Sequence, residues 1–172
     1  MKKRILLLVL AFAFLSNLNA YEINGDLGIK WTGFKTEKKA PVSGTFNEIN
    51  LNIKKSDKLS DFLTSAKVKI NSLSLESKDK GRNENIVTTL FSLSSAKVIT
   101  GVITKVNENE KTFLLDVTMN EVTNTILMMY DISDGKIIAK GTLEILDFNM
   151  KDSFLAFAQK CAALHENKSY SD

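Results

Sequence analysis

Cys161 and His165 are the residues best suited to chemistry, since the chain holds one cysteine and one histidine. They stand four residues apart, so on a helix they share a face. Zinc sites take three or four such ligands, and only Glu166 lies close by. A Cys-His nucleophilic pair needs a third group to orient it, and two residues one turn apart on a helix rarely face a common substrate. Cys161 reads more simply as a small buried apolar residue, and His165 as a helix C-terminal cation or cap. No Gly-x-Ser-x-Gly, phosphate-cradling loop or Gly-x-Gly-x-x-Gly occurs. No catalytic residue, metal or cofactor is therefore assigned.

Two further features bear on a ligand. Lys78 to Arg82 is a charge-rich loop by composition, and Arg82 in it can meet an anionic head group. The apolar inventory is rich in adaptable side chains: ten phenylalanines and five methionines in the whole chain. Phe12, Phe14 and Met1 fall in the first twenty residues. The remaining Phe and Met suit either a solid core or an adaptable apolar pocket.

The elements that must position these residues are mostly strands. Leu27, Ile29 and Trp31 alternate with polar or small residues. Val42, Gly44 and Phe46 do the same, and the phase then slips to Ile49, Leu51 and Ile53, which predicts a bulge near Glu48. Ala66, Val68 and Ile70 alternate, with a second slip to Leu73 and Leu75. Val98, Val102 and Val106 share one face, with Lys97, Lys105 and Asn107 on the other. Phe113, Leu115, Val117 and Met119 follow, then Val122, Ile126, Met128, Tyr130 and Ile132, then Ile137, Ala139, Gly141, Leu143 and Ile145. This is the period of strands with one buried face. Asn107 to Glu110 and Ser133-Asp134-Gly135 separate consecutive strands, and Asp-Gly is a strong hairpin signal. Seven such strands predict an antiparallel up-and-down β-barrel, since closure removes exposed edges. Gly81 to Phe91 breaks the period and predicts a short helix or irregular lid. Asp152 to Glu166 predicts a C-terminal helix, capped by Asp152, with Phe154, Phe157, Ala158, Cys161 and Leu164 on one face.

The N-terminus carries an export pattern. Lys2, Lys3 and Arg4 precede an apolar run from Ile5 to Leu15, and Ala20 offers a small residue at the cut. The run has eleven residues, short of the roughly 20 a spanning helix needs. Residues 1–20 are thus expected to be a signal peptide and 21–172 a single domain, placed in the periplasm with no membrane insertion. The whole chain has 23 Lys+Arg and 20 Asp+Glu. Three of the positives are in the leader, so the remainder holds 20 of each sign. Such a neutral chain advertises no nucleic-acid partner. One cysteine permits no internal disulfide.

Lys30-Trp31-Thr32-Gly33-Phe34, with Val42-Ser43-Gly44-Thr45-Phe46-Asn47-Glu48-Ile49, resembles the opening of the YceI-like family. Arg82-Asn83-Glu84-Asn85-Ile86 with Phe91 is similar to that family's segment between its early and later strands, with Arg-Asn where the family often has Arg-Asp. Gly135 to Thr142 and Asp147-Phe148 continue the resemblance. The tail from Cys161 through His165 to Tyr170-Ser171-Asp172 resembles one branch. The resemblance implies an exported, lipocalin-like barrel that holds a polyisoprenoid or similar long-chain amphiphile and has no established catalytic mechanism. Family members usually continue past the position of Asp172 into a strand that closes the barrel, so an unclosed edge is expected here.

The function expected is therefore a non-enzymatic carrier or store of an isoprenoid lipid, monomer or homodimer being left open. Alternation nominates Trp31, Phe46, Val68, Phe91, Val117, Met119, Ile126, Met128 and Tyr130 as ligand-lining, with about half expected to touch it, and Arg82 as the head-group residue. One rival is a solid-cored module that binds another envelope protein. The other is an enzyme acting on a lipid inside the barrel. It requires a buried carboxylate or histidine facing the cavity, whereas Asp116 and Glu144 fall on the polar phase of their strands.

Overall fold

The structure, a computed structural model, describes residues 20–171, so the expected leader lies outside the described residues. The elements run β1 (Lys30–Lys35), β2 (Ala40–Phe46), β3 (Ile49–Asn52), α1 (Leu59–Thr64), β4 (Lys67–Asn71), β5 (Leu75–Glu76), α2 (Lys80–Ile86), β6 (Val98–Asn107), β7 (Thr112–Met119), β8 (Val122–Ser133), β9 (Lys136–Lys140) and α3 (Lys151–Lys160). All strand pairings are antiparallel. One sheet has the order β1-β2-β5 and the other β3-β4-β6-β7-β8-β9. The fold is mainly β and up-and-down, as expected.

Two of the seven expected strands are each broken in two, at the two places where the apolar phase slips. β2 and β3 are divided at Asn47–Glu48. β4 and β5 are divided by a 3-10 turn at Ser72–Ser74. The breaks face each other and share hydrogen bonds. The Asn71 amide donates to the Glu48 carbonyl at 3.0 Å, and the Asn47 amide to the Ser74 carbonyl at 3.0 Å. The Asn71 side chain donates to the Glu48 carboxylate at 2.8 Å. Two neighbouring strands thus bend at one corner, which curls the sheet about its apolar face.

The β6 phase is corrected. Ile99, Gly101 and Ile103 face the interior, while Val98 is 42% exposed and Val102 pairs with Asp116. The register shifts between Ile103 and Lys105. That bulge returns Val106 to the inner face opposite Phe113. A single valine series across it mixes both faces.

The hairpin at Asp134-Gly135 forms as expected, with positive φ at both residues, 50° and 71°. This is the type I′ pattern. The lid is helical: Asp79 caps α2 by accepting the Arg82 amide at 2.9 Å, and Val87–Phe91 continues it as a π-turn. α3 starts one residue earlier than expected, and Asp152 sits within its first turn rather than capping it. It ends at Lys160, and Ala162–His165 is a separate 3-10 turn.

α1 is unforeseen. Its buried Leu59, Phe62 and Leu63 pack with Phe113 and Tyr130 at one end of the sheet. The larger cluster, with Phe46, Phe91, Val117, Met119, Phe148 and Met150, closes the other end. The outer strands β1 and β9 do not pair with each other. The C-terminal tail lies between their extensions. The Thr36 amide donates to the Lys168 carbonyl at 3.1 Å, and the Ile145 amide to the Ser171 carbonyl at 3.0 Å.

Candidate functional site

Between the two packed ends lies a cavity of about 1650 Å³. Pockets for drug-sized ligands run from roughly 300 to 1,000 Å³, so this space suits a longer molecule. Its walls come from every layer: Trp31 on β1, Val68 on β4, Gly101 on β6, Leu115 and Met119 on β7, and Met128 on β8. Leu90 and Phe91 of the π-turn and Phe154 and Phe157 of α3 cover it at the end that also holds Arg82. Residues 21–24, 26–29 and 135–143 line its flank, where β1 and β9 do not pair with each other.

The nominated residues divide between wall and packing. Trp31, Val68, Phe91, Met119 and Met128 line the cavity. Phe46 and Val117 are buried in the larger cluster, and Ile126 packs against it. Tyr130 belongs to the smaller cluster and stacks on Phe113 at 5.9 Å between ring centres. Phe91 and Met119 belong to the larger cluster as well, so part of that cluster is also cavity wall.

Gly101 has the most consequence among the residues not nominated. It stands on the inner face between Val68 and Val117, its Cα partners on β4 and β7. A side chain there would occupy the cavity, so its absence makes room. The signal was present in sequence, since an isolated glycine in a strand often marks a close approach by another group.

Polar groups collect at the α2–α3 end. Arg82 is one-third exposed and lies 3.5 Å from Asp79, and it donates to the Ser77 carbonyl at 3.3 Å. Lys35 and Tyr170 also line this end. Cys161 is buried. Burial pushes its thiol up, opposed by a hydrogen bond with Asn85, so it stays protonated and inert.

The cation assignment for His165 is corrected. Burial first, then the charges of Lys35 and Arg82, hold the ring below its usual 6.5, which leaves it neutral at pH 7. Its Nδ1 lies 2.8 Å from the Ser169 hydroxyl, and its ring meets Phe157 edge-on at 5.6 Å. Among the described residues no carboxylate bonds the other ring nitrogen. The Ser169–His165 pair thus ties the tail to the 3-10 turn and lacks the orienting partner of a nucleophilic triad.

A folded pKa below the unfolded value means that the unfolded chain binds more protons, so stability rises with pH in that window. His165 should therefore destabilise the fold as pH falls through 6.5. His165→Gln, which can keep the Ser169 bond, should flatten this slope in urea unfolding at several pH values. Equal slopes for both proteins would show that His165 titrates as in the unfolded chain.

The sequence model of the YceI-like domain matches residues 16–163. No curated protein matches the chain. Several solved structures share the fold, and three illustrate the likeness. A polyisoprenoid binding domain from Saccharophagus degradans, implicated in plant cell wall breakdown, is 10% identical, with TM-score 0.57, covering 78% of this chain and 83% of that one. The Campylobacter jejuni YCEI protein is 15% identical, with TM-score 0.53, covering 98% and 92%. Burkholderia cenocepacia BcnA is 15% identical, with TM-score 0.50, covering 69% and 79%.

Proposed function

This chain belongs to the YceI-like domain family, and from that premise we propose that it is a periplasmic, non-enzymatic protein that carries or stores a long-chain isoprenoid lipid inside its barrel. The carrying observation is the cavity of about 1650 Å³ walled by Trp31, Val68, Phe91, Met119 and Met128. Apolar burial contributes about 25 cal/mol per Å², so a long tail supplies useful affinity even after its ordering is offset. Arg82, partly offset by Asp79, and Lys35 leave a net positive charge at the end covered by α2 and α3, which supports a polar or anionic head group there, with Arg82 as its principal contact. Asp116 and Glu144 do not line the cavity, and each is occupied. Asp116 accepts from Thr125 at 2.6 Å, and Glu144 accepts the Leu146 amide at 3.0 Å.

Protein purified from its own periplasm should carry a retained mass in native mass spectrometry, and organic extraction should release an isoprenoid. A clean apo mass, unchanged on adding isoprenoid lipids, would overturn the carrier in favour of an envelope interaction module.

A further inference from the structure

The outer face of the strands ought to be polar, because one face of an antiparallel sheet meets water. On β3 and β4 it is: Asn50, Asn52, Lys67 and Lys69 occupy it. On β8 and β9 an apolar patch interrupts it. Leu127 is 60%, Met129 66% and Ile138 56% exposed. These residues belong together. Leu127 is the Cα partner of Leu114, which shares the outer face. Met129 partners Lys140, and Ile138 partners Asp131, so Ile138 lies diagonal to Met129 across the same pair of strands. The alternation fails in sequence for the same reason, in the unbroken apolar runs Ile126-Leu127-Met128-Met129-Tyr130 and Ile137-Ile138-Ala139. Contiguous exposed apolar side chains mark an interaction surface, whereas scattered ones do not.

Charge selects the partner. Lys105 is the Cα partner of Leu114, and Lys136 and Lys140 are the exposed ends of β9. Among the described residues none of these three forms an ion pair. Of the two acids on these strands, Asp131 pairs with Lys111 at 3.0 Å, whereas Asp116 accepts only from the neutral Thr125 hydroxyl, so three lysines face one uncompensated carboxylate. An apolar patch rimmed by unpaired lysines matches an anionic bilayer surface, where apolar side chains enter the acyl boundary and each lysine meets lipid phosphate. A second copy fits less well, since lysines along an edge strand oppose strand-to-strand pairing.

We propose that the outer face of β8 and β9, centred on Leu127, Met129 and Ile138, docks the protein on anionic phospholipid membrane. β9 is also one lip of the cavity's flank, so docking sets that lip against the bilayer. Lys136, Ile138 and Lys140 also border the cavity's flank, whereas Leu127 and Met129 do not, so the latter pair tests the surface apart from the cavity.

The test is cosedimentation of the leaderless chain with vesicles of phosphatidylcholine alone and of phosphatidylcholine with phosphatidylglycerol. Binding should favour the anionic vesicles and weaken with salt. Leu127→Gln combined with Met129→Gln should weaken it by about tenfold or more, because the apolar contact supplies much of the energy. Lys136→Glu combined with Lys140→Glu should remove the anionic preference. All four positions are exposed, so unchanged melting temperatures certify the fold. Gly101→Trp, which fills the cavity, should bind vesicles as the parent does, which separates failure of the carrier from failure of the surface. Absence of vesicle binding at low ionic strength would overturn the proposal, as would binding that neither pair of substitutions alters. A concentration-dependent dimer abolished by Leu127→Gln and Met129→Gln, with no vesicle binding, would reassign the face to a second copy.

Discussion

Gly101→Trp should strip the protein of its lipid without weakening the fold. A Cβ at this position meets the Leu115 side chain at 3.4 Å, an ordinary contact, and nothing nearer. The rest of the indole must then enter the cavity between Val68 and Val117. Displacing roughly three methylene-sized segments of ligand at about 0.8 kcal/mol each weakens binding on the order of fiftyfold. Stability should hold or rise, because glycine within a strand costs about 0.5–1 kcal/mol relative to alanine. Gly101→Leu, a smaller graft, should give an intermediate loss. The readout is native mass spectrometry on periplasmic protein, beside the melting temperature. A Gly101→Trp protein with its normal melting temperature and a full complement of lipid would mean that the ligand does not pass Gly101, and the assigned cavity would be wrong. Gly44 makes the contrast. A Cβ there meets the Trp31 ring and the Glu76 carbonyl, each at 2.5 Å, so even alanine must displace backbone.

Much of this architecture was legible because burial on one face imposes a period of two. The two phase slips located the corner at Asn47–Glu48 and Ser72–Ser74, since a curled strand must lose or gain a residue to keep its apolar side inward. The β6 bulge escaped because valine stands on both sides of it, with Val102 outside and Val106 inside. Side-chain type there says nothing about direction. α1 escaped for a different reason. Its six residues are too few for a helical period to rise above the strand alternation on either side, and helices this short are held by packing rather than propensity.

The division of the nominated residues into wall and filling was not legible at all. Val68 and Val117 are the same residue type on the same inner face, both Cα partners of Gly101. One lines the cavity and the other is packed over. Neither residue type nor face separates them, because which of two like side chains is covered is settled by long-range packing. His165 is similar. Its spacing from Cys161 was visible, whereas its neutrality follows first from burial and then from the charges of Lys35 and Arg82, brought beside it from distant parts of the chain.

Phe148→Ala should cost about 3–5 kcal/mol, the range for emptying a fully buried aromatic site. Phe148 is 0% exposed and lies in the larger cluster with Met119 and Met150. The site can collapse little, because the backbone around it is pinned. The Asn120 side chain donates to the Phe148 carbonyl at 2.9 Å, and that of Asn124 to the Asp147 carbonyl at 2.8 Å. Glu144 caps the start of the same 3-10 turn, and Asn149 leaves it at φ 56°. Backbone held at both ends cannot follow a shrinking side chain, so the void persists and the full penalty is felt. α3 begins only three residues later, so the loss should also loosen the helix that covers the cavity and speed lipid release. Urea unfolding measures the first effect, and the rate of lipid transfer to acceptor vesicles the second. A penalty below about 1 kcal/mol would show that the cluster refills around alanine. A full penalty with unchanged transfer would mean that α3 does not gate the cavity and that the ligand leaves past β1 and β9 instead.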